Sequence, residues 1–256
     1  MNFDKENIKN NFSRNHNEYL IKANIQRKSA ENLCEELLKK LEPKDFKKNL
    51  NILDLGAGTG FIADYLVEKL PKAMIYELDF SEKMMQKRPS HQSQIHQVIG
   101  DIDALNFPNN YFDIIISSFS LQWIENFQNL LKKIKNIGKN NLIFAFAIPD
   151  DDSFKNLISP FKIMSLPNSK KIKLLLWQEN FNEILFHREI FLQKFSNPIE
   201  ALKNFKEMGV NYNFYQNKEA KFNDFKFFKN FYLNNYKKNF IFNLDWSVSF
   251  YINKLC

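Results

Sequence analysis

The chain has 256 residues, which is enough for one large α/β domain with a substantial buried core. Lysine and arginine outnumber aspartate and glutamate by 36 to 29, and the formal net charge of +7 favours acidic partners. Cys34 and Cys256 lack the spacing of metal ligands or of a disulfide framework. The sequence shows neither a signal peptide nor an apolar run long enough to cross a bilayer. We therefore expect a cytoplasmic protein with no membrane contact.

Residues 22–41 carry Leu33, Leu37 and Leu41 at helical spacing ahead of Pro43, and they predict an N-terminal helix. Strand-like and helix-like segments then alternate along the chain. Strands are predicted at 51–55, 73–79, 95–99, 112–118 and 141–148, and helices at 60–70, 81–87 and 125–136. This alternation predicts an α/β fold, a Rossmann-like and mostly parallel sheet with helices on both faces.

The pattern changes after Pro149. Helices are predicted at 153–165, 169–185, 198–208 and 221–236, and strands at 185–195 and 246–252. We therefore expect a seven-stranded sheet with a helical insertion between strands 5 and 6, lying over the carboxyl edge. Aromatic residues and lysines are interleaved within 213–242, but the aromatics recur every three or four residues, which favours a buried helix face over a nucleic-acid site.

A glycine-rich turn follows the first predicted strand, in the run Asp54–Gly60. Glycine at every second position lets the backbone approach a ligand without interference from a Cβ atom. The third glycine comes one residue too early for a dinucleotide fingerprint. The order resembles the cofactor loop of class I S-adenosylmethionine-dependent methyltransferases. That resemblance implies S-adenosylmethionine as cofactor, S-adenosylhomocysteine as product, no metal, and cofactor contacts from Gly56, Ala57, Gly58 and Gly60.

Asp79 ends the second predicted strand. A carboxylate there can accept hydrogen bonds from both ribose hydroxyls of a nucleoside cofactor. The alternative is that Asp79 and Ser81 only cap the following helix. Ser81 is the better cap, so we assign Asp79 and the adjoining Phe80 to the cofactor.

Polar residues also follow the third and fourth predicted strands. Asp101 can accept from the exocyclic amine of adenine while the backbone N–H of Ile102 serves a ring nitrogen, although an aspartate after Gly100 is also common in turns. Ser117 can line the cofactor pocket. Trp123 supplies a flat aromatic wall, or else packs the next helix against the sheet.

The N-terminal pattern points to a particular family. It contains Phe12-Ser13-Arg14, then Tyr19, Ala23 and Gln26-Arg27, and the chain later carries Leu121-Gln122-Trp123 and the run 201–209. Together with the glycine loop, these motifs resemble those of the malonyl-acyl-carrier-protein O-methyltransferases of biotin synthesis. The resemblance covers nearly the whole chain.

The resemblance implies one methyltransferase domain over residues 1–256, with an N-terminal helical lid at 1–45 and helical lid or insert segments at 149–184 and 196–240. The implied reaction is methylation of the free carboxyl of malonyl-acyl carrier protein, or of malonyl-coenzyme A, early in biotin synthesis.

The same resemblance implies roles for individual lid residues. Phe12, Tyr19 and Trp123 would align and cover the substrate, Gln26 would contact the cofactor, and no residue stands out as a catalytic acid or base. The segment 150–152 is acidic and brings no obvious arginine for the malonyl carboxylate. Lys155 or a lid residue is therefore the expected partner of that carboxylate.

An acyl carrier protein is acidic and would be attracted by a basic surface. Candidate contacts are Lys132, Lys133, Lys135, Lys170, Lys171 and Lys173, which a solvated helix face would explain equally well. We expect a monomer. The alternatives are a methyltransferase of another small carboxylic acid or of RNA, and a methyltransferase-like assembly factor that acts by protein association.

Overall fold

Seven strands form a single sheet. The computed structural model describes residues 5–14, 19, 21–86, 93–155, 166–207 and 241–256. The strands are β1 (Asn51–Leu55), β2 (Met74–Asp79), β3 (Ile95–Ile99), β4 (Phe112–Ser118), β5 (Gly138–Pro149), β6 (Phe181–Phe195) and β7 (Phe242–Leu255). Their order across the sheet is β3-β2-β1-β4-β5-β7-β6, and β7 runs antiparallel to both of its neighbours. The predicted seven-stranded, mostly parallel sheet is confirmed.

The described helices are α1 (Lys5–Arg14), α2 (Asn24–Leu38), α3 (Phe61–Lys69), α4 (Glu82–Met85), α5 (Phe127–Ile137), α6 (Ser169–Gln178) and α7 (Pro198–Glu207). The predicted helix 169–185 is too long, because Asn180 takes a left-handed backbone conformation with φ of 64° and β6 begins directly after it. Residues 151–155 form turns instead of the start of a helix. The remainder of the predicted helix 153–165 and the predicted helix 221–236 lie outside the described residues.

Each face of the sheet is covered by helices. On one face Leu33 and Leu37 of α2 are fully buried in one core cluster with residues of α3, and α2 contacts β4 and β5. Burying one leucine side chain contributes about 1.5–3 kcal/mol, so this pair fixes α2 firmly on this face of the sheet. In the described part of the chain, no helix is long and apolar enough to span a membrane.

On the other face α5 and α6 pack side by side. Ile172 and Leu176 of α6 share one core cluster with Leu130 and Leu131 of α5. Because α6 also contacts β6, it covers the face of the sheet, and the expectation that it lies over the carboxyl edge is wrong. The hydrophobic spacing of a helix does not reveal which part of a sheet the helix will cover.

The acidic segment after β5 is neutralised by an arginine that is distant in sequence. Asp150 is buried, and its Oδ2 lies 2.7 Å from Nε of Arg188 and accepts a hydrogen bond of 2.5 Å from the Ser249 hydroxyl. Arg188, on β6, also donates to Asp152 and to the Ser169 hydroxyl. This network ties the first residues after β5 to β6 and β7, so the acidic segment serves the fold.

Candidate active site

The glycine loop lies between β1 and α3 at the carboxyl edge of the sheet. Gly56 has a φ of 73°, a backbone region that side chains disfavour, and a Cβ atom at this position would lie 2.1 Å from the Ser120 hydroxyl oxygen. The N–H groups of Gly56 and Ala57 both donate to the carbonyl oxygen of Leu78, at 2.7 and 3.0 Å. The loop is therefore fixed both to the end of β2 and to the segment after β4.

Asp79 connects this loop to the turn after β2. Its Oδ2 accepts from the Gly58 N–H at 2.9 Å, and its Oδ1 accepts from the Ser81 N–H at 2.7 Å. A carboxylate has about four lone-pair sites, so both oxygens can still accept from a ligand. The Ser81 side chain makes no capping bond to α4 and instead lies 2.8 Å from the Ser13 hydroxyl oxygen of α1. The expectation that the Ser81 side chain caps this helix is wrong.

Burial changes the acidity of Asp79. The side chain is only 6% exposed, and loss of solvation raises the pKa of its carboxyl to about 6, although N–H donors from Ser81, Gly58 and Phe80 counteract part of this effect. Hydroxyl donors of a bound ribose would favour the charged form and lower that pKa. Asp79 is therefore ionised at neutral pH and becomes protonated in mild acid.

A cleft of about 940 Å³, partly open to solvent, lies beside this loop at the carboxyl ends of β1 to β4. Most of the predicted site residues line it: Phe12, Tyr19, Gln26, Gly56, Ala57, Gly58, Asp79, Phe80, Asp101, Ile102 and Trp123. The structure therefore brings together residues that are distributed over more than 100 positions of the sequence.

Three predicted site residues lie elsewhere. The Ser117 hydroxyl is buried and donates to the carbonyl oxygen of Leu55 at 2.7 Å, so it joins β4 to β1, while Ser118 and Ser120 line the cleft. Gly60 is the residue preceding α3, with a φ of 86°, and does not line the cleft. Lys155 is exposed and pairs with Asp152, away from the cleft lining.

Several lining residues were not predicted from the sequence, among them Asp54, Thr59, Phe61, Met84, Phe119 and Ile124. Alternation along β4 could have separated Ser118 from Ser117, because successive strand residues point to opposite faces. No local signal identifies Met84 or Ile124, which reach the cleft through the packing of other elements.

Asp101 has the position expected for adenine recognition and also a structural role. Its Oδ1 accepts from the Asp103 N–H at 2.9 Å and so caps the short 3₁₀ turn Ile102–Ala104. The residue nevertheless lines the cleft together with Ile102. Asp101 can therefore cap the turn and also bind the cofactor, because one carboxylate oxygen is sufficient to cap the turn.

Three aromatic rings from separate segments meet at the cleft. The Phe12 ring centroid lies 6.0 Å from that of Tyr19 and 6.2 Å from that of Trp123, both in edge-to-face geometry. Burial raises the pKa of Tyr19 far above its usual range, and the nearby charge of Asp79 adds to this effect. The Tyr19 hydroxyl therefore stays neutral at physiological pH.

The charge of the cleft suits a cationic ligand. Its described lining residues include Asp54, Asp79 and Asp101 and contain no lysine or arginine. Within the described residues, no group of three or more His, Cys, Asp or Glu side chains is arranged to hold a metal ion. Carboxylates and aromatic faces together favour a sulfonium or ammonium group.

Comparison with known proteins assigns the class. Residues 53–146 match the protein family described as "Methyltransferase domain". Among solved structures, the YcgJ protein of Bacillus subtilis has a TM-score of 0.60 at 11% identity, over 88% of this chain and 98% of that one. A phosphoethanolamine N-methyltransferase of Haemonchus contortus, in complex with S-adenosyl-L-methionine, has a TM-score of 0.54 at 16% identity, over 88% and 52% of the two chains. The sheet order and the match over residues 53–146 give this chain the fold of the class I S-adenosylmethionine-dependent methyltransferases.

The descriptions of two similar curated relatives name a particular reaction. A malonyl-[acyl-carrier protein] O-methyltransferase of Neorickettsia risticii is 27% identical over 212 residues, which cover 79% of this chain and 81% of the relative. A second enzyme with this description, from Coxiella burnetii, is 26% identical over 213 residues, or 81% and 82% of the two chains. These relatives confirm the resemblance that the N-terminal and Leu-Gln-Trp motifs indicated.

The raised pKa of Asp79 leads to a prediction about cofactor affinity. We expect S-adenosylhomocysteine to bind with constant affinity above about pH 7, and to weaken by up to about tenfold for each pH unit below 6. The affinity falls in acid because the ribose hydroxyls donate to the charged carboxylate, and protonation of Asp79 therefore competes with binding. Titration calorimetry at several pH values measures this dependence.

The matched control is Asp79→Asn, which removes the titrating group. Its affinity should be lower at pH 7 and nearly independent of pH between 5 and 7. If the mutant protein shows the same pH dependence as the wild type, another group is responsible and Asp79 does not bind the ribose.

Proposed function

We propose that this methyltransferase transfers the methyl group of S-adenosylmethionine to the free carboxyl of a malonyl thioester carried by an acyl carrier protein. The observation that carries the proposal is the contact of Phe12, Tyr19 and Trp123 at the cleft. These residues belong to the motifs that resemble the malonyl-acyl-carrier-protein enzymes, and the similarity to such enzymes extends over about four fifths of the chain.

The cleft fits the cofactor chemically. Gly56 presents backbone where a side chain would collide with Ser120, and we assign Asp79 to the ribose and Asp101 with the Ile102 N–H to adenine. Gln26 lines the same cleft from α2. S-adenosylmethionine supplies an electrophilic methyl group on a positively charged sulfur, and the carboxylates of the cleft favour that charge.

The proposed reaction needs no general base. A malonyl carboxyl is ionised at neutral pH, since such groups have pKa values of about 4. A carboxylate oxygen attacks the methyl carbon, the carbon–sulfur bond breaks with its electrons on sulfur, and a neutral methyl ester results. The protein's part is to align the oxygen with the methyl group and to remove water from the carboxylate. Phe12, Tyr19 and Trp123 can do both, with α1 and α2 forming the described part of a lid within residues 1–45.

The basic surface supports an acidic carrier protein as partner. Of the candidate lysines, Lys132, Lys170 and Lys171 are exposed on the adjacent helices α5 and α6. Lys133 is engaged with the carbonyl oxygen of Asp103, and Lys173 pairs with Glu183. The exposed lysines are available to attract an acidic protein, which raises the association rate more than the affinity.

The direct test is transfer of a labelled methyl group from S-adenosylmethionine to malonyl-acyl carrier protein. We expect a labelled ester on the malonyl protein and none on acetyl-acyl carrier protein, which lacks the free carboxyl. A parallel assay with malonyl-coenzyme A tells whether the carrier protein is required. No labelled ester from the malonyl protein, in a preparation that binds S-adenosylhomocysteine by calorimetry, would contradict the proposal.

The aromatic cluster gives a second prediction, for Tyr19→Phe. The neutral hydroxyl of Tyr19 is available to donate a hydrogen bond that aligns the substrate. We expect kcat to fall by about tenfold while the affinity for S-adenosylhomocysteine changes less than about twofold.

Tyr65→Phe is the control, because the Tyr65 hydroxyl donates to Glu35 on the surface at 3.4 Å and Tyr65 is not among the described residues that line the cleft. It should leave both kcat and affinity unchanged. Equal losses of turnover and cofactor affinity in Tyr19→Phe would place its hydroxyl on the cofactor instead of the substrate.

A further inference from the structure

An anionic substrate poses an electrostatic problem for this cleft. Its described lining residues carry three carboxylates and no basic side chain. A substrate carboxylate entering such a site loses water and meets negative charge, and both effects oppose binding unless a cation compensates. A basic side chain at the rim of the cleft would compensate for both effects.

Three of the basic side chains already described are engaged elsewhere. Arg188 is held by Asp150, Asp152 and the Ser169 hydroxyl. Lys155 pairs with Asp152, and Lys133 donates to the carbonyl oxygen of Asp103. None of these cations can turn to a substrate without breaking a contact that it already makes.

Arg27 is placed differently. It follows Gln26 on α2 and precedes Ala30 by one helical turn, and both of these residues line the cleft. Its guanidinium carbon lies 4.8 Å from the centroid of the Phe61 ring, which is itself part of the cleft wall. The side chain is exposed and, among the described residues, forms no ion pair with a carboxylate. Stacking on Phe61 orients the guanidinium while its N–H donors stay available.

We propose that Arg27 binds the free carboxylate of the acceptor substrate at the rim of the cleft, an inference that rests on the proposed function. The guanidinium donates to one carboxylate oxygen and leaves the other for attack on the methyl carbon. Methylation turns the carboxylate into a neutral ester, which forms no ion pair with the guanidinium and accepts a weaker hydrogen bond. The same contact that recruits the substrate is thus weakened by the reaction, which favours release of the product.

The test compares Arg27→Gln with Lys28→Gln. Lys28 is the next residue on α2, equally exposed, and its ammonium lies 5.5 Å from the ring centroid of Phe191, a residue that does not line the cleft. The two variants lose the same charge from adjacent positions. Any effect of net charge on an acidic partner should therefore appear in both, and recognition of the carboxylate in the cleft only in Arg27→Gln.

The measurement is calorimetric binding of malonyl-pantetheine and of its methyl ester to the protein loaded with S-adenosylhomocysteine. We expect the wild type and Lys28→Gln to bind the acid at least about tenfold more tightly than the ester, as charge-assisted contacts require. Arg27→Gln should bind acid and ester alike, raise the KM for malonyl-acyl carrier protein about tenfold, and keep its affinity for S-adenosylhomocysteine within about twofold.

Different failures have different meanings. If Arg27→Gln loses affinity for S-adenosylhomocysteine and keeps its preference for the acid, the guanidinium holds the carboxylate of the cofactor and the inference is overturned. Equal effects of the two substitutions, or a wild type that does not prefer the acid, overturn it as well. If the wild type prefers the acid and Arg27→Gln abolishes that preference, yet no methyl ester forms on malonyl-acyl carrier protein, the inference stands and the proposed function fails.

Discussion

The buried carboxylate of Asp79 is the interaction on which the site depends. It accepts one backbone N–H from the glycine loop and one from the turn after β2, so two loops from different strands are held by a single side chain. Burial makes this carboxylate costly, as its raised pKa shows, and these N–H donors together with that of Phe80 offset part of that cost. A ribose that donates its hydroxyls would offset more. The buried carboxylate therefore favours a ligand that carries two adjacent hydroxyl groups.

Steric constraints set the shape of the cleft in the same way. Gly56 must lack a side chain because Ser120 occupies the space that a Cβ would fill, and the Ser120 hydroxyl in turn donates to the carbonyl oxygen of Gly56 at 3.0 Å. The end of β4 is thereby fixed against the loop after β1. Phe119, next to Ser120, packs against Trp246 of β7. The wall of the cleft is thus continuous with the core on that face of the sheet.

Local patterns predicted much of this architecture. The glycine loop, Asp79 and Asp101 stand at strand ends, where hydrophobic periodicity and turn residues mark the boundaries, so their meeting at one sheet edge followed from the parallel fold. The pairing of Asp150 with Arg188 could not be predicted, because it joins residues brought together only by the antiparallel pairing of β6 and β7. The predictions that Ser117 and Lys155 belong to the cleft were wrong for a similar reason, since the direction of a side chain depends on its neighbours in space.

Charge and solvation together give a simple account of the proposed chemistry. The cleft supplies negative charge for a sulfonium and aromatic side chains that can cover a substrate, and the proposed reaction needs no group that takes a proton from the substrate carboxyl. The central claim is that alignment in a desolvated cleft, and not acid–base catalysis, carries methyl transfer. The most direct test is kcat as a function of pH with malonyl-acyl carrier protein and S-adenosylmethionine both saturating. The account predicts a constant kcat from about pH 6.5 to 9, because the substrate carboxylate and Asp79 are both ionised there. A kcat that rises about tenfold per pH unit within this range would reveal a general base and contradict it.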